Sequence, residues 1–343
     1  MQTLNALKTN QEESHDSGGV SGRVSFVIPA RNEDQDVVAK TIQGILDTAR
    51  GVEREIILID DASETPLTFE HPEVTVIRNE SPIGVSRARR DGSQRATGDA
   101  IVWLDGHMTF AEDWLDRLPP EVDSGALLCT PYMSYDRSQV YAWGSNFGWC
   151  ARRKFKFGQT PGFIWDFRLE PPEAEVVEVP MVVGACYMMK RSVYEQLGGF
   201  CPEFMIYGND EQDISARAWL AGLSVKCVTT AHVGHLTRDR HPFPVLWDHT
   251  EFNRIVSMRT IFEPETSKLL EPFFEPFIPR VKQWLAAVDL GPWRSVVQAN
   301  RKMDDAEFFS RLAPLVPIVF NGSPQLKPGA EPPYLVARQR RRG

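Results

Sequence analysis

Three largely apolar runs in the first third of the chain constrain its fold more than any other feature. They are RVSFVIP at 23–29, EIILI at 55–59 and IVWL at 101–104. Runs with apolar residues at successive positions are typical of strands buried on both faces, as in a parallel sheet. Helical periodicity separates them, at 37–46 and again at 84–96, and a further short strand is predicted at 74–78. The resulting order, β-α-β-β-α-β from 23 to 105, predicts a mostly parallel central sheet flanked by helices, in the α/β class.

Polar residues follow these strands where each one ends. Asn32 and Glu33 come after the first strand, and Asp60 and Asp61 close the second. Because ligands of open α/β sheets bind beyond the carboxyl ends of the strands, these residues are candidates for a nucleotide site. A strand-end aspartate can accept a hydrogen bond from a base or a ribose, but it can equally cap a turn. The sequence has neither GxGxxG after the first strand nor GxxxxGK[ST] anywhere, which argues against a dinucleotide fold and a P-loop.

The last of these strands runs into an Asp-Gly-His tripeptide that contains Asp105 and His107. On an extended chain both side chains leave by the same face, and a carboxylate with an imidazole suits a divalent metal ion. A chance strand-end acid beside a structural histidine is the alternative. A second pair, His232 and His235, follows a strand predicted at 224–229, and His235 is the better placed to complete a metal site.

Two arginines and one glycine are further candidates. Arg87 and Arg89 lie on the helix predicted at 84–96, where either could meet a phosphate or form a surface salt bridge; we assign Arg87 to the donor site. Gly184 lies in a buried strand predicted at 179–189. A glycine there allows either close approach of a ligand to the backbone or close packing of a helix.

Acidic residues open the amphipathic helix that we predict at 210–221. They are Asp210, Glu211 and Asp213. The helix dipole favours acids in a first turn, but three carboxylates exceed what capping needs. Some of them could orient a hydroxyl or act as a base.

The segment 131–178 is rich in aromatic side chains and shows no clear periodicity, so we expect it to be irregular. Its rings could fill the core or line a groove for a sugar or peptide, and the sequence favours neither. The aromatic residues in question are Trp143, Phe147, Trp149, Phe155, Phe157, Phe163, Trp165 and Phe167.

Composition excludes several classes of protein. The net charge of −8 argues against broad nucleic-acid binding, and no run approaches the roughly 18 apolar residues of a transmembrane helix. Residues 1–22 are polar, so we expect a disordered leader and no secretory signal. Five scattered cysteines favour a reduced, cytoplasmic chain. Residues 263–343 are expected to form a helical extension that ends in a basic tail.

Seven segments of the chain resemble nucleotide-sugar glycosyltransferases of the GT-A fold and family 2 type. The likeness is strongest to the catalytic domain of polypeptide N-acetylgalactosaminyltransferases, spans roughly residues 23–260, and keeps the order of that family. The segments are VSFVIPARNE (24–33), EIILIDDASE (55–64), GVSRARRDG (84–92), VWLDGHM (102–108), VVGACYMMKRSVYEQLGGF (182–200), YGNDEQDISARAW (207–219) and HVGHLTR (232–238).

The resemblance implies a GT-A catalytic domain at 23–262. This domain would transfer a sugar from a UDP-sugar, of the GalNAc, GlcNAc, galactose or glucose type, to a hydroxyl of a peptide, glycan or small molecule. It also implies Mn²⁺, or Mg²⁺, on the diphosphate, held by Asp105, His107 and His235, where it would offset the charge of the leaving group. The other implied roles are uridine binding by Ala30, Asn32, Glu33 and Asp60 or Asp61, donor-sugar contacts by Gly184, Asp210 and Glu211, and a place near the active-site loop for Arg238.

Two departures limit what carries over. The Gly-Gly-Glu-Asn of the family is Gly208-Asn209-Asp210-Glu211 here. Simpler bacterial members have Glu-Asp at this point, where an acid serves as the base of inverting transfer, so the stereochemical outcome stays open. The membrane anchor and lectin domain of the animal enzymes are not visible, so a Golgi mucin-type role does not carry over.

Two other functions compete with this interpretation. One is a nucleotidyltransferase on a related α/β sheet, whose usual glycine- and lysine-rich loop is missing after the first strand. The other is a non-catalytic module that binds a nucleotide-sugar, against which the joint presence of Asp105, His107 and His235 argues.

Overall fold

A computed structural model describes residues 22–118, 122, 124–150, 162–271, 276 and 278–314. The expected leader, apart from its last residue, and the expected basic tail lie outside these ranges, as do Phe155 and Phe157. The strands are β1 (Arg23–Ala30), β2 (Glu53–Asp60), β3 (Val74–Arg78), β4 (Ala100–Leu104), β5 (Met108–Phe110), β6 (Leu127–Cys129), β7 (Tyr132–Ser134), β8 (Val140–Ala142), β9 (Ser145–Cys150), β10 (Gly162–Phe167), β11 (Val176–Glu178), β12 (Cys186–Lys190), β13 (Val225–Val228) and β14 (Val233–His235). The helices are α1 (Gln35–Thr48), α2 (Val85–Arg95), α3 (Arg191–Gln196), α4 (Asp210–Leu220), α5 (Trp247–Ile261), α6 (Pro264–Leu270), α7 (Pro279–Ala287), α8 (Gly291–Ala299) and α9 (Asp305–Arg311).

An eight-stranded sheet with the order β11-β13-β6-β12-β4-β1-β2-β3 forms the centre of the fold. Strands β4, β1, β2 and β3 are parallel neighbours, which confirms the parallel layer predicted for the first part of the chain. Strand β12 runs antiparallel to both of its neighbours, β4 and β6, so the far half of the sheet is mixed. Because β1, β2 and β4 point the same way, their carboxyl ends meet at one edge of the sheet.

Strand β1 separates two layers of the core, because successive side chains leave a strand on opposite faces. Phe26 and Ile28 pack in one cluster with Ile42 of α1, whereas Val27 packs in the other with Ala88 of α2. This two-sided burial explains why the strand reads as a continuous apolar run.

A separate four-stranded sheet, ordered β5-β14-β7-β8, lies next to the end of β4. Strand β14 pairs antiparallel with β5, so that His235 lies opposite Met108. It pairs parallel with β7 on its other side. His235, which the sequence predicts on a loop after the strand at 224–229, lies at the end of this short strand.

Several predicted elements differ from the structure. Of the strand predicted at 179–189, the first seven residues are outside regular structure, and the strand is Cys186–Lys190. Residues 114–118, for which the sequence suggests a short helix, form a series of turns. The segment 131–178, expected to be irregular, contains five short strands in its described part, including the antiparallel pair β9 and β10. Short strands of three to six residues give too little periodicity to be recognised from sequence.

Helix α4 is the clearest correction to a predicted pattern. It was expected to be amphipathic, but all eleven residues are buried, including its charged ones. The charged side chains are buried because they have partners: Arg217 of α4 pairs with Asp213 one turn earlier at 2.7 Å and donates to two backbone carbonyls. Buried charges are tolerated only when they are paired in this way.

The helices that follow residue 246 pack against the same core as the central sheet. Phe308 of α9 lies 5.4 Å from Phe147 and 6.0 Å from Phe163, ring centre to ring centre. The boundary that we expect at residue 262 therefore crosses one continuous hydrophobic cluster. Among the described residues, no helix combines the length and the hydropathy that crossing a membrane would require.

Candidate active site and metal centre

A cavity of about 280 Å³ opens where the strands β1 and β4 end. Most of the residues that the sequence nominates contribute to its lining. These are Ala30, Glu33, Asp61, Asp105, His107, Gly184, Asp210, Glu211, His235 and Arg238. The structure therefore brings together residues that lie up to 208 positions apart in the chain, from Ala30 to Arg238.

Three side chains in this cavity converge as a metal site requires. One ligand atom each of Asp105, His107 and His235 lies within 4.8 Å of the other two. The Nε2 atoms of the two imidazoles are 3.0 Å apart, and Nε2 of His235 lies 3.3 Å from Oδ2 of Asp105. All three side chains are partly exposed to the cavity, so a cation could reach them.

The pairing of β5 with β14 creates this convergence. Asp105 and His107 lie between β4 and β5, and the register places His235 opposite Met108. The bond from the backbone N–H of Leu236 to the carbonyl of His107, at 3.1 Å, fixes the same arrangement. The two histidines therefore face each other because the backbone segments that carry them are hydrogen-bonded to each other.

Glu33 supports the metal site from the end of β1. Its Oε1 lies 3.2 Å from Nδ1 of His107, and its carboxylate pairs with Arg238 at 2.6 and 2.9 Å. Burial alone would raise the pKa of Glu33, but the bonds to His107 and Arg238 outweigh it and hold the pKa below its usual value. An ionised carboxylate facing Nδ1 favours the tautomer that leaves Nε2 free to bind a metal.

Asp105 is held in its ionised form. Burial would raise its pKa, but the hydrogen bond from His235 and the positive charge of Arg89 lower it below the ordinary value of an aspartate. The guanidinium of Arg89 binds the other carboxylate oxygen, Oδ1, at 2.9 Å. Because metals bind the deprotonated carboxylate, Asp105 is prepared as a ligand at neutral pH.

Arg89, and not Arg87, is the arginine of α2 that lines the cavity. It is 2% exposed, donates to Asp210 and, at 3.2 Å, to Glu211, and lies 5.2 Å from the ring centre of Tyr187. The sequence does contain a signal for this choice. Small and apolar residues at 85, 88, 92 and 96 mark one face of the helix; position 89 lies beside that face, and 87 points away from it.

Glu211 has an unusual electrostatic environment. Burial, together with the neighbouring charge of Asp210, raises its pKa to about 8, although Arg89 opposes the shift. Its Oε1 would lie only 2.4 Å from a Cβ placed on Gly184. Gly184 is therefore needed to admit the Glu211 carboxyl, which accounts for a glycine here through side-chain packing alone.

Of the residues nominated for the uridine, Ala30, Glu33 and Asp61 line the cavity and two do not. Asp60 is fully buried and accepts bonds from the backbone of Ser63 and Leu67 and from Arg78. Asn32 accepts from the backbone of Glu64. In this structure both residues shape the β2 loop, as aspartates and asparagines at turns commonly do.

Aromatic residues divide between the two uses that the sequence left open. Phe147 and Phe163 are fully buried in the core. Trp165 and Phe167 line the cavity instead, together with Tyr132, which the sequence did not single out. Alternation along β10 could not have provided this distinction, because Phe163, Trp165 and Phe167 are two residues apart and leave the strand on the same face.

Comparison with known proteins shows matches over the segments that build this cavity. Residues 25–198 match the sequence profile of glycosyl transferase family 2. Residues 175–242 match the profile described as the N-terminal domain of galactosyltransferase. Between them these two matches span every side chain discussed above that lines the cavity.

Two similar proteins come from animals. The chain is 28% identical over 234 residues to human polypeptide N-acetylgalactosaminyltransferase 14, covering 64% of this chain and 41% of the human protein. It is 30% identical over 261 residues to probable N-acetylgalactosaminyltransferase 8 of Caenorhabditis elegans, covering 69% of this chain and 60% of the nematode protein. The chain thus spans about two to three fifths of the length of these relatives.

A solved structure confirms the predicted GT-A fold. The crystal structure of GalNAc-T7 with UDP, GalNAc and Mn²⁺ matches this chain with a TM-score of 0.64 at 20% identity. The match covers 85% of this chain and 56% of that one.

Proposed function

The chain belongs to glycosyl transferase family 2, and on this premise we propose that it transfers a sugar from a UDP-sugar to an acceptor hydroxyl with the help of a divalent metal ion. The observation that carries the proposal is the convergence of Asp105, His107 and His235 inside the one cavity that also contains the strand ends. The named relatives, which are N-acetylgalactosaminyltransferases, support the same reaction class.

The donor set suits a metal ion of intermediate softness. Two imidazole nitrogens and one carboxylate oxygen favour Mn²⁺ over Mg²⁺, which prefers oxygen ligands alone. When bound, the ion would neutralise charge on the diphosphate of the donor.

The residues of this chain would then bind and orient the two substrates. We propose that Ala30 and Asp61 contact the nucleoside, while Gly184, Asp210 and Glu211 form the wall that faces the donor sugar. Arg238, tied to Glu33, would hold the loop after β14 over the phosphates. The cavity would exclude water from the sugar once both substrates are bound.

The oxygen of the acceptor hydroxyl forms a bond to the anomeric carbon, and the bond from that carbon to the β-phosphate oxygen breaks with its electron pair going to UDP. The hydroxyl proton leaves to a base or to the departing phosphate oxygen. Asp210 and Glu211 are the carboxylates at the donor wall that could take it. Proton transfer to a carboxylate belongs to an inverting reaction and proton transfer to the departing phosphate to a retaining one, and we leave the stereochemical outcome open.

A panel of UDP-sugars incubated with Mn²⁺ tests the proposal. We expect at least one donor to release UDP, and we expect the Asp105→Ala variant to lose this release while its melting temperature stays near that of the wild type. Pyrophosphate in place of UDP would assign the chain to the nucleotidyltransferases. Binding of UDP and Mn²⁺ without cleavage of any donor would assign it to the non-catalytic modules, and full activity of Asp105→Ala in EDTA would refute the metal site.

A further inference from the structure

Three aromatic rings form a wall on one side of the cavity, and nothing in the function proposed so far uses them. We define the aromatic wall as Tyr132 of β7 with Trp165 and Phe167 of β10. Phe167 lies nearly parallel to both neighbours, at 20° and 6.1 Å from Trp165 and at 27° and 6.2 Å from Tyr132. Because their planes are nearly parallel, the three rings form one continuous aromatic surface in the lining of the cavity.

The aromatic wall lies directly beside the metal site. The ring of Tyr132 lies 5.4 Å from the ring of His235, and its hydroxyl shares a hydrogen bond of 2.7 Å with Thr237, two residues further along. All three rings line the same cavity as the metal ligands. A molecule lying on the wall would therefore be next to the donor sugar, which is where the acceptor must be.

Two features of the wall indicate a missing partner. Phe167 is 37% exposed, one of the more exposed large apolar side chains among the described residues. The indole Nε1 of Trp165 is buried and donates to no acceptor. An exposed flat ring and an unpaired N–H donor are both unfavourable until something covers them.

We propose that the aromatic wall is the acceptor subsite and that the acceptor it takes is a sugar ring. The apolar C–H face of a pyranose matches a flat aromatic surface, and a ring hydroxyl could accept from the indole N–H. Side-chain pockets, which an extended peptide would need at alternate residues, are not what a flat wall of three rings offers. This inference rests on the proposed glycosyl transfer and assigns its acceptor.

The test compares two acceptor classes with one donor. The UDP-sugar that is hydrolysed fastest with Mn²⁺ is offered with methyl glycosides of glucose, galactose and N-acetylgalactosamine, and separately with short Ser- and Thr-containing peptides. We expect transfer to at least one glycoside with a kcat/KM above that of any peptide. A peptide as the better acceptor would overturn the proposal while leaving the glycosyltransferase assignment intact.

Variants separate stacking from general damage. Phe167→Ala should raise the KM for the glycoside about tenfold, and the KM for the UDP-sugar is measured alongside it. Trp165→Phe, which keeps a ring and removes the N–H, should raise the KM for the glycoside by a smaller factor. Val296→Ala, which trims an equally exposed apolar residue on α8, is the matched control and should change neither quantity.

The experiments give different results if the proposed glycosyl transfer is wrong and if only the acceptor subsite is wrong. If no UDP-sugar is cleaved by the wild type, the proposed function is wrong and the acceptor assignment is wrong with it. If donors are cleaved and the KM for the glycoside is the same in Phe167→Ala as in the wild type, only the acceptor subsite is wrong. A melting temperature measured for each variant shows whether a raised KM reflects lost folding, and a folded variant with raised KM supports the subsite.

Discussion

The Nε2 atoms of His107 and His235 lie 3.0 Å apart, although 128 positions separate the two residues in the chain. The rings are tilted by 53° with their centres at 4.7 Å, so they meet at their edges and do not stack. In neutral imidazoles one Nε2–H can donate to the other Nε2, whereas both nitrogens can act as acceptors together only if a cation lies between them. This relationship is what makes the cavity a candidate metal centre.

We expect His235→Ala to weaken Mn²⁺ binding by about 100-fold, because it removes one of three ligands from the site. Isothermal titration of the protein with Mn²⁺ measures this directly and needs no substrate. His232→Ala is the matched control, since His232 is exposed three residues away and lies outside the cluster of ligands. Equal Mn²⁺ affinity in His235→Ala and the wild type would show that His235 is no ligand.

Arg89→Met should lower the free energy of unfolding by about 3–5 kcal/mol, because it leaves the buried carboxylate of Asp210, beside the carboxyl of Glu211, without its cation. Urea unfolding followed by circular dichroism measures the loss. Arg117→Met, which breaks an exposed pair with Asp113, is the control and should leave stability unchanged. A loss in Arg89→Met no larger than in Arg117→Met would mean that the buried network contributes no stability.

The raised pKa of Glu211, at about 8 against 4.5 for an unperturbed glutamate, predicts a dependence of stability on pH. Between pH 4.5 and pH 8 the Glu211 side chain holds a proton in the folded state that it releases in the unfolded state. The free energy of unfolding that Glu211 contributes therefore falls as the pH rises. Glu211→Gln removes that dependence. Its stability relative to the wild type should therefore increase from pH 5 to pH 8, by at most about 1.4 kcal/mol per pH unit.

Urea unfolding of both proteins at several pH values measures this difference. Below pH 4.5 the side chain is protonated in the folded and the unfolded wild type alike, so the difference there serves as the baseline. A difference that is constant over the whole range would show that Glu211 titrates normally.

Gly92→Ala should destabilise the fold by about 1–2 kcal/mol, even though alanine is the better helix former. A Cβ on Gly92 of α2 would lie 2.5 Å from Cγ1 of Val27 on β1, so helix and strand would have to separate. Thermal or urea unfolding gives the change. In a Val27→Ala background the same substitution should cost less, and equal costs in both backgrounds would mean that the two residues are not in contact.

Much of the parallel half of the fold could be predicted because local patterns encode it. The strand at Val74–Arg78 and the helix at Val85–Arg95 lie within the predicted bounds, since apolar periodicity and flanking glycines are properties of adjacent residues. The segment 131–178 could not be predicted in the same way. Its strands are three to six residues long and are stabilised by partners elsewhere, such as the pairing of β7 with β14.

The candidate site was predictable in its residue types and less so in their arrangement. Asp105 and His107 form a pair that the sequence itself places together, and they line the cavity as expected. Arg87 does not line it, and Arg89 does, because the helix turns by about 100° per residue and only one of the two faces the sheet. The carboxylate of Asp60 accepts hydrogen bonds from the backbone, and no local sequence pattern predicts those bonds.

The sequence by itself determined where the strands of the parallel layer begin and end, and hence that acids, a glycine and a histidine would follow them at one edge of a sheet. Tertiary structure alone decided that His235 meets His107 and that Trp165 and Phe167 face the cavity while Phe163 faces the core. The physical reason is the range of the interactions. Hydrophobic periodicity acts between near neighbours in the chain, whereas a strand register or a buried ion pair exists only once distant segments have been brought into contact.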